Sequence, residues 1–169
     1  MLLFISFDKP NADLAAELQA ALRGHNIETR SSLDVPSEED WRRLLDEEGA
    51  KADGFIFLFG PDISITPELQ TEWRLFLRND WEGTKSLIPI VHAEGTFAKL
   101  PGFLRIRKAI FTTDFDSIVD RVKYLVEHPK ETVDPVYFRL AEIEHEKHVN
   151  AVRAYALALK REAREAKQR

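Results

Sequence analysis

One glutamate, Glu72, stands where a carboxylate could do chemistry. Thr66-Pro67 is a strong helix start, a capping hydroxyl followed by proline at the first helical position. On the helix it opens, Leu69, Trp73, Phe76 and Leu77 form an apolar stripe. Glu72 lies at the edge of that stripe, beside Leu69 at i−3 and Phe76 at i+4. A carboxylate placed there is partly desolvated and near the strand ends. It can stabilise a developing positive charge or orient an attacking hydroxyl or water. The residues alone leave a second reading open: a solvated or salt-bridged glutamate whose stem covers apolar surface.

Other constellations are thinner. Asp8 is half of the acidic pair a phosphoacceptor domain needs, but the third apolar run closes on Phe59-Gly60, with no acceptor aspartate. The stretch Ser6-Phe7-Asp8-Lys9-Pro10-Asn11 has no glycine, which excludes a dinucleotide fingerprint there, and no P-loop is present. His145 and His148 lie three apart among Glu142, Glu144 and Glu146, a pattern of solvated helices, and no metal site is expected. His25 and His92 lack a serine or cysteine at triad spacing. The chain has no cysteine, which rules out disulfides and thiolate metal sites and fits a reducing cytoplasm. A net charge of −5 gives polyanions no long-range attraction. The short cluster Arg105, Arg107 and Lys108 reads as the solvent side of a strand entry, so no nucleic-acid partner is expected. No stretch approaches the roughly 18 apolar residues of a membrane span. Met-Leu-Leu-Phe-Ile-Ser has no basic n-region and reads as a first strand, not a signal peptide.

The elements that must position these residues alternate between two periods. Leu2 to Ser6 suits a buried strand. Asn11 can cap a helix carrying Leu14, Leu18 and Leu22, and Gly24 stops it. A short strand follows at Ile27 to Thr29, then a loop from Ser31 to Pro36. Ser37-Glu38-Glu39-Asp40 opens a helix whose apolar face is Trp41, Leu44 and Leu45. Gly54 to Phe59 is the clearest strand, apolar at every position from Phe55. Leu87 to Val91 is another, with Pro89 awkwardly inside it. A short strand at Ala109 to Phe111 and a helix from near Asp114 complete residues 1–127. The pattern predicts an α/β fold, a doubly wound, flavodoxin-like, five-stranded parallel sheet. Ligands of such sheets sit at the carboxyl ends of the strands, near the switch in strand order. Residues 128–135 read as a linker and 136–169 as a long charged C-terminal helix. In it Val149, Val152, Ala156 and Leu159 keep a short coiled-coil spacing. That helix reads either as packed on the domain or as an arm for oligomerisation or a partner.

Four segments, in order and at matching separations, resemble the TIR family. Phe4-Ile5-Ser6-Phe7 with Asp8 is similar to its first strand and the loop after it. Leu33 to Trp41 is similar to its second loop and the acidic helix start that follows. Ile63 to Trp73 is similar to the stretch that carries its catalytic glutamate. Leu87-Ile88-Pro89-Ile90-Val91 is similar to its fourth strand, where proline is usual. Thr66, Glu68 and Leu69 depart from the residues common ahead of that glutamate, as Ser37 and Phe7 do in the two loops. The resemblance implies cleavage of the nicotinamide–ribose bond of NAD, with NAD as substrate and no cofactor. It implies Glu72 as the catalytic carboxylate and a bacterial-type role in immune signalling and defence, activated by self-assembly through TIR–TIR contacts. It further implies that Phe7 and Trp41 could stack on nicotinamide or adenine, although aromatic residues at a strand end and a helix start are more often core, and that Ser6, Asp8, Asp34 and Ser37 hold ribose hydroxyls or shape the loops. A non-catalytic TIR interaction module and a nucleoside deoxyribosyltransferase-like enzyme remain as alternatives.

Overall fold

The strands at Leu2–Ser6, Gly54–Phe59 and Ser86–Val91 are buried on both faces, so the sheet needs helices on both sides. The computed structural model describes residues 1–61, 64–79, 84–92 and 100–136, together with 139, 143, 146, 147 and 149–154. β1 (Leu2–Ser6), β2 (Glu28–Ser31), β3 (Gly54–Phe59), β4 (Ser86–Val91) and β5 (Ile110–Phe111) form one sheet in the order β2-β1-β3-β4-β5. Every neighbouring pair is parallel. The order reverses between β1 and β3, which makes the carboxyl ends of those strands the switch point. The helices are α1 (Ala12–Gly24), α2 (Glu38–Glu48), α3 (Pro67–Asn79), the short α4 (Gly102–Arg105) and α5 (Val119–Glu127).

The two faces of the sheet are chemically different. On one face Leu3, Ile5, Ile56, Leu58, Ile88 and Ile90 pack with α1 and α5 into an almost wholly aliphatic layer. On the other, Phe4, Phe55, Phe57 and Phe59 meet Trp41 of α2 and Trp73 and Phe76 of α3. Phe55 and Phe76 stack with centroids 4.4 Å apart, and Phe57 meets the Trp73 ring edge-on at 6.0 Å. This alternation follows from the strand pleat: odd positions of β1 go to the aliphatic layer and even positions to the aromatic one.

Several local details differ from the sequence expectation. Asn11 precedes α1 but does not cap it; its side-chain amide donates to Asp8 instead, and Lys9–Asn11 forms a 3-10 turn. Gly24 is the last helical residue of α1, and the left-handed position is Asn26, with φ of 61°. Asparagine tolerates that region because its short polar side chain adds little clash. Ile27 N–H bonds back to the Leu22 carbonyl, so β2 begins one residue later than the alternation suggests. Pro89 fits for a physical reason. Val91 turns its carbonyl to Thr112 beyond β5, while His92 N–H turns to Phe59 of β3. By that alternation the proline nitrogen faces the β5 side, where only Ile90 and Val91 are paired.

The expected linker over 128–135 is corrected in most of its length. Pro129–Thr132 is a 3-10 turn, Thr132 is buried, and Arg107 and Val133 form an antiparallel bridge. Lys108 N–H donates to the Thr132 carbonyl at 2.6 Å and Asp134 N–H to that of Ile106 at 2.7 Å. These bonds make the segment part of the first compact unit, Met1–Asp134; the second unit is Pro135–Arg169. In that second unit the described residues are helical up to 154. The rest of the expected helix, including His145, His148, Ala156 and Leu159, lies outside the described residues. No helix among the described residues is long and apolar enough to cross a membrane.

Candidate active site

α3 starts as its first residues dictate. The Thr66 hydroxyl accepts from Leu69 N–H at 3.2 Å, and Pro67 takes the first helical position. Leu69, Trp73 and Phe76 are buried against the aromatic face, which leaves Glu72 half-buried at the border of the layer. Two groups from other elements face its carboxyl. From β1 comes the hydroxyl of Ser6, the last residue of the strand. From the first turn of α2 comes the indole N–H of Trp41.

This setting perturbs the acid. Burial pushes the Glu72 carboxyl up to about 7, the Trp41 and Ser6 donors pull it down, and the nearby charge of Glu38 adds to the rise. Desolvation is the largest of these because a half-buried carboxylate loses water that two neutral donors only partly replace. Glu38 is itself held by Arg42 at 2.7 Å, which tempers its repulsion. Among the described residues no ion pair reaches Glu72, and no cation there neutralises its charge.

Ser6 is 2% exposed, and its oxygen accepts from Trp73 Nε1 at 2.9 Å. With that lone pair occupied, the hydroxyl still has its proton to give, and its effect on Glu72 is that of a donor to the charged form. Trp41 is also 2% exposed and packs 5.7 Å from the Phe4 ring. Its ring faces are therefore core, which corrects the expectation of stacking on a nicotinamide or adenine; only its N–H edge meets the site. Among the described residues that N–H has no hydrogen-bond partner of ordinary geometry. It nevertheless lies near enough to Glu72 to favour the charged carboxylate.

The other expected site residues are distributed around this centre. Phe7 packs against the aliphatic layer, on the opposite side of the sheet from Trp41. The strand pleat, which sends Ser6 and Phe7 to opposite faces, was the signal that separates them. Asp8 is buried and accepts from the Asn11 amide and from Ser64 N–H at 3.2 Å, so it ties the loop after β1 to the segment after β3. Asp34 is bound by Arg23 at 2.7 Å, Gln19 at 3.0 Å and Ser31 N–H at 2.8 Å. Burial pushes its carboxyl up, but these partners together hold it below the ordinary range. Ser37 caps α2: its hydroxyl accepts from Asp40 N–H at 3.1 Å and donates to the Asp40 carboxylate at 2.6 Å. The structure thus brings Ser6 and Trp41 to Glu72, and gives Asp8, Asp34 and Ser37 bonds that shape the loops. Trp73 and Glu38 also belong to the site; in the sequence they read as core and as helix start, because both lie within helices whose patterns explain them so.

Two open depressions lie elsewhere. One, of about 300 Å³, is lined by Ile65, Gln70, Trp73, Arg74 and Leu77 with Pro101 and Phe103. The other, at the opposite rim of the sheet, includes Met1, Asp53, Lys85 and Glu127. Glu72 lines neither.

A family described as the TIR domain matches residues 3–125. Among solved structures, the chain is similar to the Clostridium botulinum CMP N-glycosidase BcmB, at 13% identity and a TM-score of 0.47, covering 73% of this chain and 99% of that one. No match is found among curated proteins.

Proposed function

The chain belongs to the TIR domain family, and on that footing we propose that it cleaves the nicotinamide–ribose bond of NAD with Glu72 as the catalytic carboxylate. The observation that supports this most is the condition of that carboxyl: half-buried, without a counter-cation among the described residues, faced by two neutral donors and with its pKa raised to about 7. Perturbed acids without a structural ion pair are characteristic of working sites.

The chemistry asks little else of the protein. The bond joins a cationic pyridinium ring to the anomeric carbon of ribose. The ring leaves neutral, so no acid has to protonate it, and the transition state resembles an oxocarbenium ion. One carboxylate opposite the developing charge lowers the barrier and can orient the attacking water or hydroxyl. A bound pyridinium favours the ionised form of Glu72, because opposite charges within about 4–6 Å depress a carboxyl pKa. Attack by water gives a linear product and attack by a substrate atom a cyclic one. Self-association through TIR–TIR contacts, a role in immune-type signalling and a partner for the 136–169 helix belong to the same proposal.

The test is nicotinamide release from NAD by the concentrated 169-residue chain, with and without a crowding agent. Release that drops by about 10²-fold or more in Glu72→Gln supports the reading. The kcat/KM profile is expected to rise with pH to a plateau, with its midpoint near 7, where the free carboxyl ionises. No release under any assembly condition would leave the non-catalytic interaction module. Deoxynucleosides supplied in the same assay test deoxyribosyl transfer.

A further inference from the structure

The Ser6–Trp41–Glu72–Trp73 cluster contains two buried donors whose directions are fixed by the core, and one of them is unspent. We propose that Ser6 and Trp41 are positioning residues that grip the ionised Glu72 carboxylate as a pair, with Trp73 acting as the brace that aims the Ser6 proton. The inference rests on the catalytic reading of Glu72 for its purpose, but its geometry stands without turnover.

The argument starts from donor accounting. A hydroxyl has one proton and two acceptor lone pairs. Trp73 Nε1 fills one lone pair of Ser6 from 2.9 Å away, and both side chains are buried, so the hydroxyl rotor has few alternatives. An indole N–H is a donor only, and burying one unpaired costs about 1–3 kcal/mol. Trp41 Nε1 is in that state, and the carboxyl it faces is that of Glu72. The cost is recovered when the carboxyl ionises and closes onto the N–H, because bonds to a charged acceptor are shorter and stronger. Held by Ser6 and Trp41, the carboxylate has a set direction at the border of the aromatic layer.

The surroundings leave the effect readable. The charge acting on Glu72 comes from Glu38 at the start of α2, itself paired with Arg42. The α3 neighbours one turn away, Leu69 and Phe76, are apolar, and β1 contributes only the neutral Ser6 hydroxyl.

The experiment is a carboxyl-detected ¹³C titration of the full chain, with Glu72 assigned by its absence in Glu72→Gln. The Glu72 midpoint is expected to rise by about one pH unit in Ser6→Ala and again in Trp41→Phe, as each donor to the charged form is lost. Ser6→Thr, which keeps the hydroxyl, should titrate close to the native protein. A purely structural role would lower the melting temperature and leave the midpoint in place. In the native chain, the Trp41 indole proton should move downfield through the Glu72 midpoint and stay flat in Glu72→Gln, a readout that needs no change at Trp41. A flat indole resonance in the native chain, or unmoved midpoints in both donor variants, overturns the proposal. Absence of NAD cleavage with these shifts present would instead refute the catalytic reading and leave the donor pair intact.

Discussion

The side-chain amide of Asn11 occupies the space where a Cβ on Gly60 would stand. Asn11 belongs to the turn after β1 and Gly60 follows β3, so this contact joins the two strand ends that form the switch point. The same amide donates to Asp8, whose other oxygen takes Ser64 N–H. Gly60→Ala should therefore displace Asn11 and strip Asp8 of a donor, at a cost of about 2–4 kcal/mol for overpacking plus the lost bond. Urea denaturation measures it. Adding Asn11→Ala to Gly60→Ala should cost less than the sum of the single changes, since the first change already breaks the contact.

Glu72 makes the folded chain sensitive to pH in a direction opposite to most carboxylates. Its folded pKa, about 7, lies above the 4.5 of an unperturbed glutamate. The folded state thus holds this proton more tightly than the unfolded chain does. The favourable contribution is complete below pH 4.5, falls as pH rises through the interval and is gone above 7. Glu72→Gln, which mimics the protonated form, should match the native stability near pH 4.5. At pH 8 it should exceed it by about 2 kcal/mol, partial exposure trimming the full effect. Denaturation midpoints of the two proteins at both pH values decide this; a gain that does not grow with pH would contradict it.

The base of the second loop depends on a buried polar chain. Ser31 is fully buried; its hydroxyl donates to Gln19 at 2.9 Å and accepts from Leu33 N–H at 3.2 Å. Gln19 and Arg23 then bind Asp34, which also caps Ser31 N–H. Ser31→Ala leaves the Gln19 carbonyl oxygen without this donor and removes the cap, which should cost about 1–3 kcal/mol. Amide exchange at 32–35 should quicken more than exchange in β1 or β3. Equal changes everywhere would mean that the network stabilises the fold as a whole and not the loop.

The sheet was legible because its strands are long apolar runs between strong punctuation. Gly54 to Phe59 and the Thr66-Pro67 helix start occupy the residues expected of them, and with them Glu72 falls at the border of a buried stripe. The partners of Glu72 were less legible. Ser6 and Trp73 are 67 positions apart, and the bond between them exists only after β1 and α3 pack. Trp41 looked like a ligand-stacking ring because its type suits that role; its burial beside Phe4 assigns the rings to the core. The packing of 128–134 was illegible for a different reason, since a single bridge and a few backbone bonds leave no periodic trace.

The segregation of rings to one side of the sheet has an optical consequence. Trp41 and Trp73 both lie on that side and both adjoin the acid, while the opposite layer holds aliphatic side chains with Phe115 as its buried ring. Ultraviolet emission and near-ultraviolet dichroism from these two indoles therefore report on the half of the molecule that carries Glu72. Changes confined to the packing of α1 and α5 would leave the contributions of Trp41 and Trp73 unchanged.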